Sequence, residues 1–165
     1  MATIYLFDWG NTLMVDFPEQ SGKMCDWPEV RAIEGAQATL AQLATQHAIY
    51  IATNAADSAE ADIHAAFMRV GLAPFIAGYF CKANLGIGKG SAAFFQQIAA
   101  TLDVPASALL MVGDSYQHDI APALAFGARA IWFNPTGANT QQALAQPLRQ
   151  IRQLTELCQP DFKDN

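Results

Sequence analysis

Asp8, Thr53, Lys89, Asp114 and Asp119 are the residues of this sequence whose types and surroundings best suit chemistry. Asp8 directly follows the apolar run TIYLF (Thr3–Phe7) and precedes Trp9, Gly10, Asn11 and Thr12. Thr53 and Asn54 follow AIYIA (Ala48–Ala52). Gly113, Asp114 and Ser115 follow LLMV (Leu109–Val112), and Asp119 stands five positions past Asp114. Lys89, between Gly88 and Gly90, heads a stretch with helical periodicity. Singly, each has a plainer reading: a carboxylate as helix cap or turn residue, Thr53 as a strand-end threonine, Lys89 as a surface lysine. Together they point elsewhere. Carboxylates at neighbouring strand ends repel unless a cation lies between them, and a hard divalent ion with oxygen ligands is the natural choice. Mg²⁺ fits, because it takes one or two carboxylates together with water and a substrate phosphate. Lys89, Thr53 and nearby backbone N–H groups would then hold the other phosphate oxygens.

The elements that must position these groups are legible in the pattern. The four runs are nearly continuous in aliphatic, aromatic and β-branched residues, as expected of parallel strands covered on both faces. Ala77–Cys81 is a weaker run, expected at a sheet edge. Between the runs, Ala36, Leu40, Leu43 and His47 form one helical stripe. Ile63, Phe67 and Val70 form a second, with Asp57 and Glu60 as its capping pair and Gly71 as its stop. Phe94, Phe95, Ile98 and Leu102 form a third after Ser91, and Ile120 and Leu124 a fourth before Gly127. Leu144, Leu148 and Ile151 suggest a last helix, broken or restarted near Pro147. The alternation predicts a Rossmann-like, doubly wound three-layer α/β/α sandwich around a mainly parallel five-stranded sheet. In such sheets ligands bind beyond the carboxyl ends of the strands, where the residues above fall. One domain over residues 1–165 is expected, with a short irregular insertion at about 14–32 and a frayed tail at 159–165.

Composition narrows the function classes. The chain has 165 residues, 52% hydrophobic and 15% charged, enough to bury a core and unlike a disordered chain. Nine Lys and Arg against a net charge of −6 do not make the basic face of a stable nucleic-acid binder. Cys25, Cys81 and Cys158 are too far apart for a zinc site or a disulfide framework. The uncharged stretch Gly35–Ala56 carries three Gln, His47 and Asn54, which argues against a membrane span. No basic leader precedes the first strand, so a cytoplasmic location is expected. GIGKGS at Gly86–Ser91 is neither a Walker loop, having Gly90 after the lysine, nor a dinucleotide fingerprint. The three histidines show no ligand spacing, and His118 near the site is a candidate proton donor.

The sequence resembles the haloacid dehalogenase superfamily of phosphatases and hydrolases. YLFDWGNTL (Tyr5–Leu13) is similar to its first motif, apolar residues leading to Asp-x-Asp-x-Thr-Leu. IYIATN ends a strand in Thr as the second motif does, Lys89 in GKGSAAFF matches the third, and VGDSYQHDI matches the fourth, Gly-Asp-Ser-x-x-x-Asp. The likeness runs from about residue 3 to 135. It implies that Asp8 is the nucleophile, forming an aspartyl-phosphate, and that Asp8, Asp114 and the backbone carbonyl of Gly10 hold Mg²⁺. It implies that Thr53 and Lys89 bind the phosphoryl group, with Thr12, Asn54 and Ser115 in the substrate-binding set and Asp119 supporting Lys89 or the metal.

The sequence departs from that family at Gly10, where its phosphatases carry a second Asp that protonates the leaving oxygen and then activates water. Losing a general acid/base costs about 10²–10⁴ in rate, so slow turnover, or an unusual substrate with a good leaving group, is expected. The alternatives are a relative that keeps the site as a phosphate- and metal-binding recognition module, and hydrolysis of a phosphonate or another C–X bond. The Asp-Trp-Gly-Asn-Thr opening is similar to that of the phosphonate-cleaving branch, and Lys23 is the one lysine in the insertion. The stretch between Asp8 and Thr53 leaves little room for a cap domain, so a bulky or macromolecular phosphorylated substrate is expected, or a partner acting as the lid. Phe17 and Trp27 either meet such a partner or pack over the sheet edge, and a homodimer is the oligomer considered.

Overall fold

The computed structural model describes residues 3–138 and 148–160. Strands β1 (Ile4–Phe7), β2 (Ala48–Ala52), β3 (Gly78–Phe80), β4 (Leu109–Gly113), β5 (Arg129–Phe133) and β6 (Arg149–Ile151) form one sheet in the order β3-β2-β1-β4-β5-β6. Every pairing is parallel. The helices are α1 (Ala36–Leu43), α2 (Glu60–Arg69), α3 (Lys82–Leu85), α4 (Ala92–Leu102) and α5 (Ala121–Phe126). The strand order reverses between β1 and β4, which makes the crevice beyond their carboxyl ends the natural ligand site.

The period of two along the strands divides the core into two layers. Tyr5 and Phe7 of β1, Ile49 and Ile51 of β2, and Leu110 and Val112 of β4 pack with Leu40 of α1 and Phe67 of α2. Leu6, Leu109 and Met111 point the other way, onto Phe94, Phe95 and Ile98 of α4 and Ala123 of α5. Strand residues buried on both faces explain why the apolar runs are continuous.

The Rossmann-like α/β reading is borne out, with differences in detail. Among the described residues the sheet has six strands rather than five. Leu144 and Pro147 lie outside the described residues, but Arg149–Ile151, expected to end a helix, is an edge strand pairing Phe133 with Ile151. Three residues with one buried side chain carry no strand signature that would outweigh the Leu spacing. Helix α2 is capped at Ala59 rather than by the Asp57–Glu60 pair: Asp62, at the third helical position, accepts the Ala59 N–H at 2.9 Å. His47 lies past the end of α1. Gly71 and Gly127 stop α2 and α5 with φ of +75° and +102°. Of the expected frayed tail, Gln159 and Pro160 are described and the rest lies outside the described residues. Among the described residues no helix is long and apolar enough to cross a membrane.

The insertion is a wall rather than a free loop. Met14 bridges both Gly10 and Ala32. Lys23 pairs with Asp62 at 3.0 Å, and Arg69 donates to the Trp27 and Cys25 carbonyls, so the segment is fastened to α2. Met24 and Trp27 are buried in that contact, and the Trp27 indole N–H is satisfied by the Ser21 and Gly22 carbonyls. Phe17 stands edge-on to Trp27 at 6.5 Å.

Candidate active site

Beyond the ends of β1, β2 and β4 the structure gathers the residues singled out by their spacing. The Asp8 N–H continues the ladder onto Val112 O at 2.9 Å, and the Thr53 N–H does the same onto Phe80 O at 3.0 Å. Both side chains are therefore held by sheet hydrogen bonds rather than by free loops. Lys89 Nζ lies 2.6 Å from Asp8 Oδ1, 2.6 Å from Asp119 Oδ1 and 3.0 Å from Ala52 O. The ammonium donates hydrogen bonds to Asp8 Oδ1 and Ala52 O and is held to Asp119 as an ion pair. The Lys89 side chain is only 3% exposed. A buried ammonium is retained where paired carboxylates compensate for its lost hydration.

Thr12 is buried beneath the carboxylates, its hydroxyl 3.2 Å from Asp8 Oδ2 and 3.3 Å from Asp114 Oδ1. From there it underpins the two acids. Asn54 lines the cavity, and its Oδ1 accepts the Lys89 backbone N–H at 2.9 Å, which fixes the loop that delivers the lysine. A Cβ on Gly88 would stand 2.7 Å from that oxygen, so the glycine permits the approach. Ser115 caps the wide turn Tyr116–Ile120: its hydroxyl accepts the His118 N–H and lies 3.1 Å from His118 Nδ1. Asp119 turns back to accept the Ser115 N–H at 3.0 Å. A Cβ on Gly113 would come within 2.2 Å of the Asp119 carboxylate, so no larger residue fits there.

The electrostatics follow from three carboxylates facing one lysine. Asp8, Asp114 and Asp119 can each offer a ligand oxygen within 4.8 Å of the other two. Burial works against charge on Asp8, but the Lys89 ammonium and a hydrogen bond with Asp114 outweigh it and hold the Asp8 carboxyl below its ordinary range. Burial, the hydrogen bond with Asp8 and the Asp8 charge push Asp114 up to about 8. Burial and the Asp8 charge push Asp119 up to about 6, against the pull of Lys89. Burial alone would lower Lys89, but Asp8 and Asp119 raise it above its usual value. The two acids thus shift in opposite directions, Asp8 down and Asp114 up. This excess of acceptors suits a divalent cation with Asp8 and Asp114 as ligands, since Asp119 is already committed to Lys89 and Ser115.

Over Asp8 opens a cavity of about 350 Å³, walled by Trp9, Gly10, Thr53 and Asn54 on one side and by Asp16, Met24 and Trp27 of the insertion on the other. Asp57 and Ser58, after β2, complete it. Asp16 and Asp57 were not legible as site residues. Their place depends on the fold of the insertion and of the loop after β2, for which the sequence offers no motif.

The HAD-hydrolase-like family model matches residues 86–157, a span that holds Lys89, Asp114 and Asp119. Solved structures align over nearly the whole chain. The fold is that of the haloacid dehalogenase-like hydrolases. An uncharacterized protein from Listeria monocytogenes serotype 4b is 22% identical with a TM-score of 0.82, over 94% of each chain. A 2-haloacid dehalogenase from Pseudomonas syringae is 24% identical with a TM-score of 0.76, over 96% of this chain and 97% of that one. A putative HAD-hydrolase from Bacillus subtilis, bound to magnesium, is 17% identical with a TM-score of 0.74, over 94% and 96%. Comparison with curated proteins gave no match. The superfamily resemblance drawn from the four motifs is borne out by the family match and by the HAD-like fold.

Proposed function

We propose that the chain is a Mg²⁺-dependent phosphohydrolase that transfers a phosphoryl group to Asp8 and then to water. The observation that carries this reading is the Asp8 carboxylate itself, fixed by Lys89 at 2.6 Å and lining a cavity beside a second carboxylate. A nucleophile for a dianionic substrate has to be charged, oriented and shielded from repulsion, and Lys89 supplies the last two. Thr53 Oγ1 accepts the Ala55 N–H at 3.2 Å, which leaves the hydroxyl proton to donate to a phosphoryl oxygen. Asp8, Asp114 and the Gly10 carbonyl would hold the cation, which when bound neutralises charge on the transferred group. Asp119 keeps Lys89 aimed at Asp8. The cavity is open to solvent, so a substrate larger than 350 Å³ can extend outward from it.

Gly10 favours a second reading, a site retained for binding phosphate and metal without turnover. One assay separates the two. Hydrolysis of 4-nitrophenyl phosphate and of acetyl phosphate is measured with Mg²⁺ and with EDTA, for wild type and Asp8→Asn. The proposal expects metal-dependent turnover that Asp8→Asn abolishes. Turnover that survives in Asp8→Asn contradicts it, and binding without turnover supports the second reading.

A further inference from the structure

We infer that Asp16 is the general acid/base of this site, delivered by the insertion to the place where Gly10 has no side chain. This deepens the proposed reaction through Asp8 and rests on it. A Cβ built on Gly10 would lie 3.4 Å from Asp16 Cβ, 3.7 Å from its Cγ and 3.5 Å from its Oδ2. The Asp16 carboxyl group therefore lies within van der Waals contact of the point where a side chain at residue 10 would begin. Asp16 and Asp8 line the same cavity. The other carboxylate in that lining, Asp57, is on the loop after β2 and accepts the Ser58 hydroxyl at 3.2 Å. Asp114 and Asp119 are committed to the carboxylate cluster behind Asp8.

The backbone holds Asp16 where this role needs it. Asn11 adopts φ +60°, which reverses the chain directly after Gly10, and short polar residues tolerate that conformation. Its N–H donates to Met14 O at 2.6 Å, and its side-chain Oδ1 accepts the Asp16 N–H at 3.0 Å. The Val15 N–H donates to Arg31 O at 2.8 Å. Residues 10 and 16 are thus tied across one tight loop, and Asn11, which cannot itself exchange a proton, positions the residue that can. The Asp16 side chain is exposed, so water and substrate can reach it.

The chemistry balances. In the first step an Asp8 oxygen bonds to phosphorus, the bond from phosphorus to the leaving oxygen breaks, and protonated Asp16 gives that oxygen its proton. In the second, the Asp16 carboxylate takes a proton from water as its oxygen bonds to phosphorus. The bond from phosphorus to Asp8 breaks, inorganic phosphate leaves, and Asp16 is protonated again.

The test compares wild type, Asp16→Asn, and Asp16→Asn combined with Gly10→Asp. Steady-state turnover is read on an alkyl phosphate and on acetyl phosphate, and the phosphorylated fraction of the protein after rapid quench. Asp16→Asn should lower alkyl phosphate turnover by about 10²–10⁴. With acetyl phosphate, whose leaving group needs no acid, Asp8 should still be phosphorylated, and the phosphoprotein should accumulate because water is not activated. Gly10→Asp in that background should recover roughly tenfold or more of the loss, a rescue that a merely structural Asp16 would not permit. Asp16→Asn turning over both substrates at the wild-type rate, or slowing phosphorylation and dephosphorylation equally, overturns the inference. If Asp8→Asn keeps wild-type turnover, the reaction through Asp8 fails instead, whatever Asp16→Asn does. An unchanged melting temperature of the exposed-site variant separates lost chemistry from lost fold.

Discussion

Burial, then the hydrogen bond with Asp8 and the Asp8 charge, hold the Asp114 carboxyl above its ordinary range. A cation entering between the two acids must displace the proton of that carboxyl. Below a pH of about 8 the affinity for Mg²⁺ should therefore climb with pH, by up to about tenfold per unit, and level off above it. Calorimetry in two buffers of different ionisation enthalpy would show a proton released on binding; an affinity flat from about pH 6 to 8, with no proton release, contradicts the assignment. At this scale the sequence was informative where residue type and chain position coincide. Asp8, Thr53 and Asp114 directly follow strands, Lys89 comes from the loop before α4 and Asp119 from the turn after β4, and these meet in one place. It was silent where a role depends on what a side chain meets. Nothing in the sequence around Thr12 says that its hydroxyl meets both Asp8 and Asp114. Nothing near Asp16 in the sequence says that it returns to Gly10.

The turn between β4 and α5 carries more of the site than its length suggests. Gly113 ends β4, Ser115 caps the wide turn Tyr116–Ile120, and Asp119 closes it by accepting the Ser115 N–H while pairing with Lys89. The absence of a side chain at 113 is what lets the Asp119 carboxylate approach the strand end. Gly113→Ala should therefore push Asp119 off both partners. It should cost about 1–3 kcal/mol of stability, as overpacking of a tight site commonly does, and should lower activity further by releasing Lys89. Urea unfolding together with turnover measures both; a variant matching wild type in both would show that the turn adapts freely. The element boundaries explain which sequence signals succeeded. Gly71 and Gly127 marked helix ends because positive φ there demands glycine. The α2 start was misplaced because Asp62, reaching back to Ala59, does the work that the Asp57–Glu60 spacing suggested.

Across the whole molecule, the doubly wound order β3-β2-β1-β4-β5-β6 puts the carboxylates at the reversal point, and that placement sets how stability responds to pH. A carboxyl group whose pKa is raised by folding stabilises fully below its unfolded value of 3.8 and loses that contribution as pH rises through the folded value. Asp119 and Asp114 should therefore make the metal-free protein lose stability as pH rises from about 4 through about 6 and on to about 8. Asp8, held below 3.8, contributes in the opposite sense, but only around and below that value. Melting temperatures in EDTA should fall over this window, and Mg²⁺ should remove the fall; identical pH profiles with and without the cation would show that it does not sit among these acids. Most of the topology was legible because parallel strands buried on both faces read as unbroken apolar runs. The sixth strand was not, since Arg149 and Gln150 are only half-buried and the register against β5 is a tertiary fact. The insertion looked irregular for the same reason: its anchors, Lys23 to Asp62 and Arg69 to Trp27, join residues about forty positions apart.

The central claim, that Asp8 accepts the phosphoryl group, is tested most directly by trapping the covalent state. The protein is mixed with acetyl phosphate and Mg²⁺, quenched in acid within milliseconds, and the phosphorylated residue is located by peptide mass spectrometry. The account predicts a hydroxylamine-labile acyl phosphate on Asp8, absent in Asp8→Asn and absent with EDTA. Turnover of acetyl phosphate with no phosphate on Asp8, or with the label on another residue, would contradict it.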